Sequence, residues 1–208
     1  MLSAETISAF FIASVLLAFA PGPDNIFVLT QSALQGKLSG LMVVFGLCTG
    51  LLVHTGAVAF GVAVIFQASA LAFTLLKFIG GGYLLYLAWH AFRASPEKIN
   101  VHGGQEKAVG ILYRRGIIMN LTNPKVSIFF LAFLPQFADP QRGPISLQMV
   151  ALGGIFIFAT ILVFGSIALI GGVLGDWLNR SERAQRTMHR IAGTVFIGLA
   201  LKLVTVER

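Results

Sequence analysis

The sequence predicts an all-α membrane protein: six transmembrane helices arranged as two inverted three-helix repeats, with helices 1 and 4 broken at proline. Three observations carry this expectation. Of the 208 residues, 56% are hydrophobic and 11% are charged, and the mean hydropathy is +0.85. Soluble domains are roughly 25% charged. Several apolar stretches reach the ~20 residues that cross a bilayer as a helix. The two halves resemble each other weakly, and each opens with a span interrupted by proline. The chain reads as one domain, 1–208, with repeat 1 over about 1–93, a cytoplasmic loop over about 93–115 and repeat 2 over about 114–208. That loop is too short and polar to build a core of its own.

Span 1 is expected from Ser3 to Leu34, broken at Pro21-Gly22-Pro23. Each proline lacks an N–H and clashes with the preceding turn, so the helix cannot continue through them. Span 2 is expected from Ser39 to Phe66 and contains Gly46-Leu47-Cys48-Thr49-Gly50, a small-xxx-small step that lets helices approach closely. His54 follows Gly50 by one turn and lies on the same face. Gln67 to Ala70 reads as a tight link to span 3, Leu71 to Phe92, which holds Gly80-Gly81-Gly82 and an aromatic face of Tyr83, Tyr86 and Trp89. The glycines suit close packing, and the aromatics suit packing or an interfacial anchor. Span 4, Gly116 to Phe137, is interrupted at Asn123-Pro124-Lys125. Span 5 runs from Leu147 to Leu174 without an ionisable residue. Asp176 to Arg190 reads as a charged interfacial connection, and span 6 as Ile191 to Val206.

The net charge of +7 raises nucleic acid as a partner, but the basic residues sit between spans, where they report orientation instead. With the 93–115 loop in the cytoplasm, that side holds Lys37, Arg93, Lys98, Lys107, Arg114, Arg115, Arg180, Arg183, Arg186 and Arg190. The other side holds Arg142, Lys202 and Arg208, while Lys77 and Lys125 fall within spans. Six spans then place both termini outside the cytoplasm. The single cysteine, Cys48, excludes a disulfide framework and a thiol redox pair. Ala18-Phe19-Ala20 looks like a signal-peptidase site, yet the preceding residues lack the basic n-region a signal peptide needs, so the first span is expected to be retained.

The internal match aligns Lys77-Phe78-Ile79-Gly80 with Arg190-Ile191-Ala192-Gly193, and Pro23-Asp24 with Pro124-Lys125. Three spans per repeat is odd, so the second repeat must be inverted. Inverted repeats with proline-broken segments at matching positions point to the midplane site of a secondary transporter. Pro21, Gly22, Pro23, Asp24 and Asn25 at the first break, and Asn120, Asn123, Pro124 and Lys125 at the second, are therefore the candidate substrate-binding residues. Intramembrane charge is costly without a partner. Asp24 and Lys125 are expected to pair with each other, or to receive the ammonium and carboxylate of a zwitterion. The plainer reading is a proline kink with Asp24 at the membrane surface. Asn120 and Asn123 either contact substrate or satisfy carbonyls freed by Pro124. His54, with Asp24, is the candidate proton relay; its rival role is a hydrogen bond to a neighbouring carbonyl. No cofactor or metal is expected, because His54 has no second ligand within a turn. Nor does a nucleophile–base motif accompany Asp24 and His54, so no enzymatic activity is expected.

These residues resemble the LysE/RhtB family of bacterial amino-acid exporters. The resemblance spans essentially the whole chain. It rests on Ala20 to Asn25, on Gly46 to Gly50 with His54, on Lys77 to Leu84, and on Arg115-Gly116 through Asn120-Leu121-Thr122-Asn123-Pro124-Lys125 to Phe133-Leu134-Pro135-Gln136-Phe137. It implies a multi-pass protein of the bacterial inner membrane whose partners are an amino-acid substrate, protons and the lipid bilayer. The implied activity is export driven by proton entry, with substrates nearer the homoserine, threonine and leucine type than lysine. Export of basic amino acids or of a cation is the alternative. The glycine steps allow a homodimer, but equally serve packing within one protomer.

Overall fold

The computed structural model describes residues 2–62, 70–96 and 108–205. Eight helices and no strand are present among them: α1 Ala4–Phe19, α2 Pro23–Gln35, α3 Lys37–Ala57, α4 Ala70–Arg93, α5 Val109–Thr122, α6 Pro124–Ile128, α7 Ile145–Arg180 and α8 Glu182–Thr205. A π-helical turn, Val58–Val62, extends α3, and a π-helical turn with a 3-10 turn carries α6 on to Phe137. The expected link at 67–69, the loop over 97–107 and the end of span 6 at Val206 lie outside the described residues.

Among the described residues, three helices are long and apolar enough to cross a membrane, and up to five spans result if each bent pair counts as one. The bent pairs are α1 with α2, turning by 62°, and α5 with α6 and its extension, turning by 52°. Both bends fall where the prolines stand. Pro23 and Pro124 occupy the first turns of α2 and α6, the one helical location where a missing N–H is harmless. Many large apolar side chains face outward, among them Ile12, Phe19, Leu38, Phe60, Leu71 and Val173. So much exposed apolar surface suits lipid rather than water. The chain is a multi-pass membrane protein.

Two boundaries differ from expectation. The segment Asp176 to Arg190 is not a separate connection: α7 runs on to Arg180, and α8 begins at Glu182 after a break of one residue, Ser181. Charges on an exposed helix face cost little, so a charged run does not by itself end a helix. The fourth span likewise begins near Val109 rather than Gly116.

Missing side chains set the helix contacts. A Cβ on Gly46 would stand 2.9 Å from Gly116 Cα, and one on Gly50 would stand 2.6 Å from Asn120 Oδ1. Successive residues of α3 thus meet successive residues of α5, and these two helices run parallel. Gly153 of α7 fits over Thr55 of α3, and Gly40 of α3 fits near Ala168, so α7 runs antiparallel to α3. Gly80 of α4 abuts Ala132 and Leu203, Gly81 abuts Val204, and Gly193 of α8 receives Phe92, so α4 and α8 run antiparallel. Gly82 faces open space and takes no part. Lys37, the ends of α4 and α7 and the starts of α5 and α8 therefore gather at one end of the bundle. A core of Phe10, Phe129, Phe130, Phe133 and Phe156 fills the opposite half.

Candidate functional site

Both helix breaks lie inside the bundle. Asp24 is 3% exposed and Lys125 7% exposed, which removes the reading of Asp24 as a surface residue beside a kink. Proline at the first helical position sets the next residue in the first turn, and in each break that next residue is the ionisable one. Gly22 caps α2 without a side chain, while Asn123 caps α6 by accepting from the Lys125 backbone N–H at 3.0 Å.

The two breaks are tied across the bundle. Lys125 Nζ donates to the Ala20 carbonyl oxygen at 2.9 Å, and Asn25 Nδ2 donates to the Ala18 carbonyl oxygen at 2.7 Å. Both carbonyls belong to the end of α1, where the break turns the chain away and the N–H groups four residues on no longer reach them. The expected direct ion pair is absent: Asp24 and Lys125 face each other, but the ammonium makes its hydrogen bond to Ala20 instead. The unwound carbonyl competes for Nζ because a buried unpaired carbonyl is itself expensive. Asp24 Oδ1 and Asn25 Oδ1 are left without partners.

Asp24 and Lys125 line a small internal cavity of about 20 Å³, shared with Asn120, Thr160, Leu17, Leu47, Leu51 and Phe156. The Asn120 Oδ1 and Thr160 Oγ1 atoms are also buried and unpartnered. Several polar atoms without partners around one space make a place prepared for a polar guest. Its size suits about one water, at ~10–15 Å³ of probe-occupied volume, and not an amino acid.

Lys125 also lines a second and larger space. This vestibule, about 440 Å³, is bounded by Pro21, Gly22, Pro23, Asn123, Pro124 and Lys125 of the breaks, by Tyr83, His90 and Arg93 of α4, and by His189 and Phe196 of α8. It opens toward the end of the bundle where the arginines collect. Lys125 thus lines both the vestibule and the small cavity.

Not every sequence-predicted residue has the expected place. Asn120 lies in the last turn of α5, whereas Asn123 lies in the break with extended backbone. His54 lines neither space. Its Nε2 lies 3.3 Å from the Asn120 carbonyl oxygen and its ring 5.6 Å from that of Phe130. Tyr83 and Tyr86 stack at 5.8 Å, and Trp89 carries the Arg93 guanidinium at 4.1 Å from its ring. Thr160 was missed by sequence reasoning. One hydroxyl in a long apolar span carries no spacing signal, and such hydroxyls usually bond the carbonyl four residues back, as Ser32 and Thr55 do here. Among the described residues, no group of three or more His, Cys, Asp or Glu is arranged to hold a metal ion.

Comparison with known proteins places this geometry in a family. The family described as LysE type translocator matches residues 15–207. A homoserine/homoserine lactone efflux protein of Salmonella typhimurium is 32% identical over 190 residues, 91% of this chain and 91% of that protein. An uncharacterized membrane protein of Vibrio cholerae is 30% identical over 199 residues, 96% of each chain. A further uncharacterized membrane protein, from Pseudomonas aeruginosa, is 30% identical over 204 residues, 92% of this chain and 91% of that one. No solved structure matches the chain.

Proposed function

The chain belongs to the LysE type translocator family, and from that premise we propose that it is a secondary active exporter of small neutral amino acids, of the homoserine, threonine or leucine type, working by antiport with protons. The observation that carries the proposal is the bridge between the two breaks, Lys125 Nζ on the Ala20 carbonyl, beside a buried carboxylate with an unpartnered oxygen. A zwitterion offers the two groups this arrangement lacks. Its ammonium would satisfy Asp24, and its carboxylate would take Lys125 from Ala20. Pro21, Gly22, Pro23, Asn25, Asn120, Asn123 and Pro124 shape the surrounding space, and unwound backbone at such depth is tolerated where it lines a cavity. The similar Salmonella protein is named for efflux of homoserine and homoserine lactone, which favours a homoserine-type substrate here.

In this reading each bent pair is one broken span, and with α3, α4, α7 and α8 the spans number six in two inverted repeats. The parallel run of α3 with α5 and the antiparallel runs of α3 with α7 and α4 with α8 agree with that topology. The arginine-rich end is then cytoplasmic and both termini lie outside, in a bacterial inner membrane. Protons would travel by Asp24 and His54, coupled through Asn120, whose carbonyl contacts His54 and whose side chain lines the cavity with Asp24. The test is efflux of preloaded radiolabelled homoserine, threonine, leucine and lysine from cells expressing the chain, with Asp24→Asn and Lys125→Met alongside. Energy-dependent efflux of a neutral substrate that collapses in both variants is expected. Undiminished efflux in both would remove the breaks from the mechanism.

A further inference from the structure

We propose that Thr160 reads the substrate's side chain: its hydroxyl selects amino acids that carry a side-chain oxygen, such as homoserine and threonine, over apolar ones of the same shape. The inference rests on the export reading above and narrows its substrate class. Four hydroxyl side chains are buried among the described residues: Ser14, Ser32, Thr55 and Thr160. The first three each donate to the carbonyl oxygen four residues back, at 2.7 Å. That bond is the usual way a helix satisfies a hydroxyl in apolar surroundings. Thr160 is 2% exposed and makes no such bond, and its Oγ1 has no partner. An unpaired buried hydroxyl is costly, so its place on a cavity wall calls for a guest that pairs it.

Thr160 lines the small cavity together with Asp24, Lys125 and Asn120. Asn120 supplies the complementary atom, an Oδ1 that is buried without a donor. Gly50 makes room for it, since a Cβ there would stand 2.6 Å from that oxygen. Most of the remaining wall is apolar: Leu17, Leu47, Leu51, Val126, Phe156 and Phe164. With the ammonium assigned to Asp24 and the carboxylate to Lys125, the atoms left for Thr160 and Asn120 are those of the substrate side chain. A hydroxyl accepts from Thr160 and donates to Asn120. The ring and carbonyl oxygens of a lactone accept from Thr160, so this pair does not reject homoserine once it has cyclised. A methyl group does neither. It displaces solvent from the cavity without replacing the hydrogen bonds that solvent makes, and leaves both atoms unpaired. Sites that bond a substrate hydroxyl discriminate against the isostere lacking it for this reason.

The experiment is counterflow in proteoliposomes holding the purified full-length chain, preloaded with unlabelled homoserine, threonine or leucine and followed with the matching label. Unlabelled competitors are paired by shape, homoserine with norvaline and threonine with valine, so that each pair exchanges a hydroxyl for a methyl. Homoserine is expected to compete at least about tenfold better than norvaline, within the ~5–150-fold range that one unpaired buried hydroxyl sets, and threonine better than valine. Thr160→Val keeps the shape and removes the hydroxyl, and should bring both ratios toward one. Thr160→Ser returns a hydroxyl and should keep them. Gel filtration checks folding, and Thr160→Ala stands in for a valine variant that does not fold. Equal competition within both pairs in the wild type overturns the inference and leaves amino-acid export standing, as does counterflow of leucine alone. A folded, active Thr160→Val protein with wild-type ratios also overturns it, because a merely structural role would weaken all four competitors alike. Counterflow of no amino acid in the panel removes the export reading and the inference together.

Discussion

Substituting Gly46 by alanine tests the contact that positions the second break. The added Cβ would meet Gly116 Cα at 2.9 Å and Ile117 N at 3.0 Å, and would lie against the Tyr113 carbonyl oxygen. Carbon atoms settle at ~3.5–4.0 Å, so the Gly116 contact alone requires α3 and α5 to separate by roughly 0.6–1 Å, and the nearer Tyr113 carbonyl oxygen requires more. All three neighbours are backbone, and none can rotate aside. Overpacking of this kind costs ~1–3 kcal/mol. Replacing a helical glycine by alanine returns up to ~1 kcal/mol wherever the site is open. Gly165 of α7 is such a site, with nothing within 4 Å of the would-be Cβ. The assay is thermal unfolding of purified Gly46→Ala and Gly165→Ala in the same detergent. Gly165→Ala should melt at or above the wild type, and Gly46→Ala below it, by about 2–4 °C for each kcal/mol in a chain of this size. Transport should fall in Gly46→Ala alone, because the same helix pair sets Gly50 against Asn120 and His54 on the Asn120 carbonyl. A Gly46→Ala protein as stable as Gly165→Ala would refute the close α3–α5 packing.

Two further predictions concern the second break and the proton path. Asn123→Ala deletes the cap that accepts the Lys125 backbone N–H at 3.0 Å, and should lower stability by ~1 kcal/mol, read from the same melting experiment. A change indistinguishable from zero would mean that the cap is not formed in the membrane. His54→Gln keeps a donor for the Asn120 carbonyl but cannot take up and release a proton near physiological pH. Gradient-driven efflux should therefore fall while exchange of labelled for unlabelled substrate continues. Loss of both activities would assign His54 to packing against Asn120 and Phe130 instead.

The two proline breaks, the buried charge beside each and the close glycine steps were legible in the sequence, because each has a local cause. Proline ends a helix wherever it stands, and an ionisable residue next to such an end must find a partner. The partner itself was not legible. Asp24 and Lys125 suggest a direct pair by charge alone, and nothing in the sequence ranks that pair against the freed carbonyl of Ala20, which takes the ammonium. The run from Asp176 to Arg190 misled for the opposite reason: charge marks exposure, and exposed helices continue through charge, so the only break is Ser181. Thr160 could not have been found, since its role depends on α7 lying beside both breaks, a fact of packing rather than of spacing.

The sizes of the two spaces bear on how such a site can work. The vestibule of about 440 Å³ can receive an amino acid, and the small cavity of about 20 Å³ cannot. If the proposed export uses this site, the small cavity must grow to hold a substrate, and the residue that lines both spaces is Lys125, held on the Ala20 carbonyl. That bond is both the closure of the first break and the occupant of the position a substrate carboxylate would take. A single exchange of partners, carbonyl for carboxylate, would thus free the end of α1 while neutralising Lys125, so substrate arrival and loosening of the break become one event. The shared wall also explains why the buried charges need not be paired directly: an ion pair satisfied at the outset would leave neither Asp24 nor Lys125 a reason to bind a zwitterion.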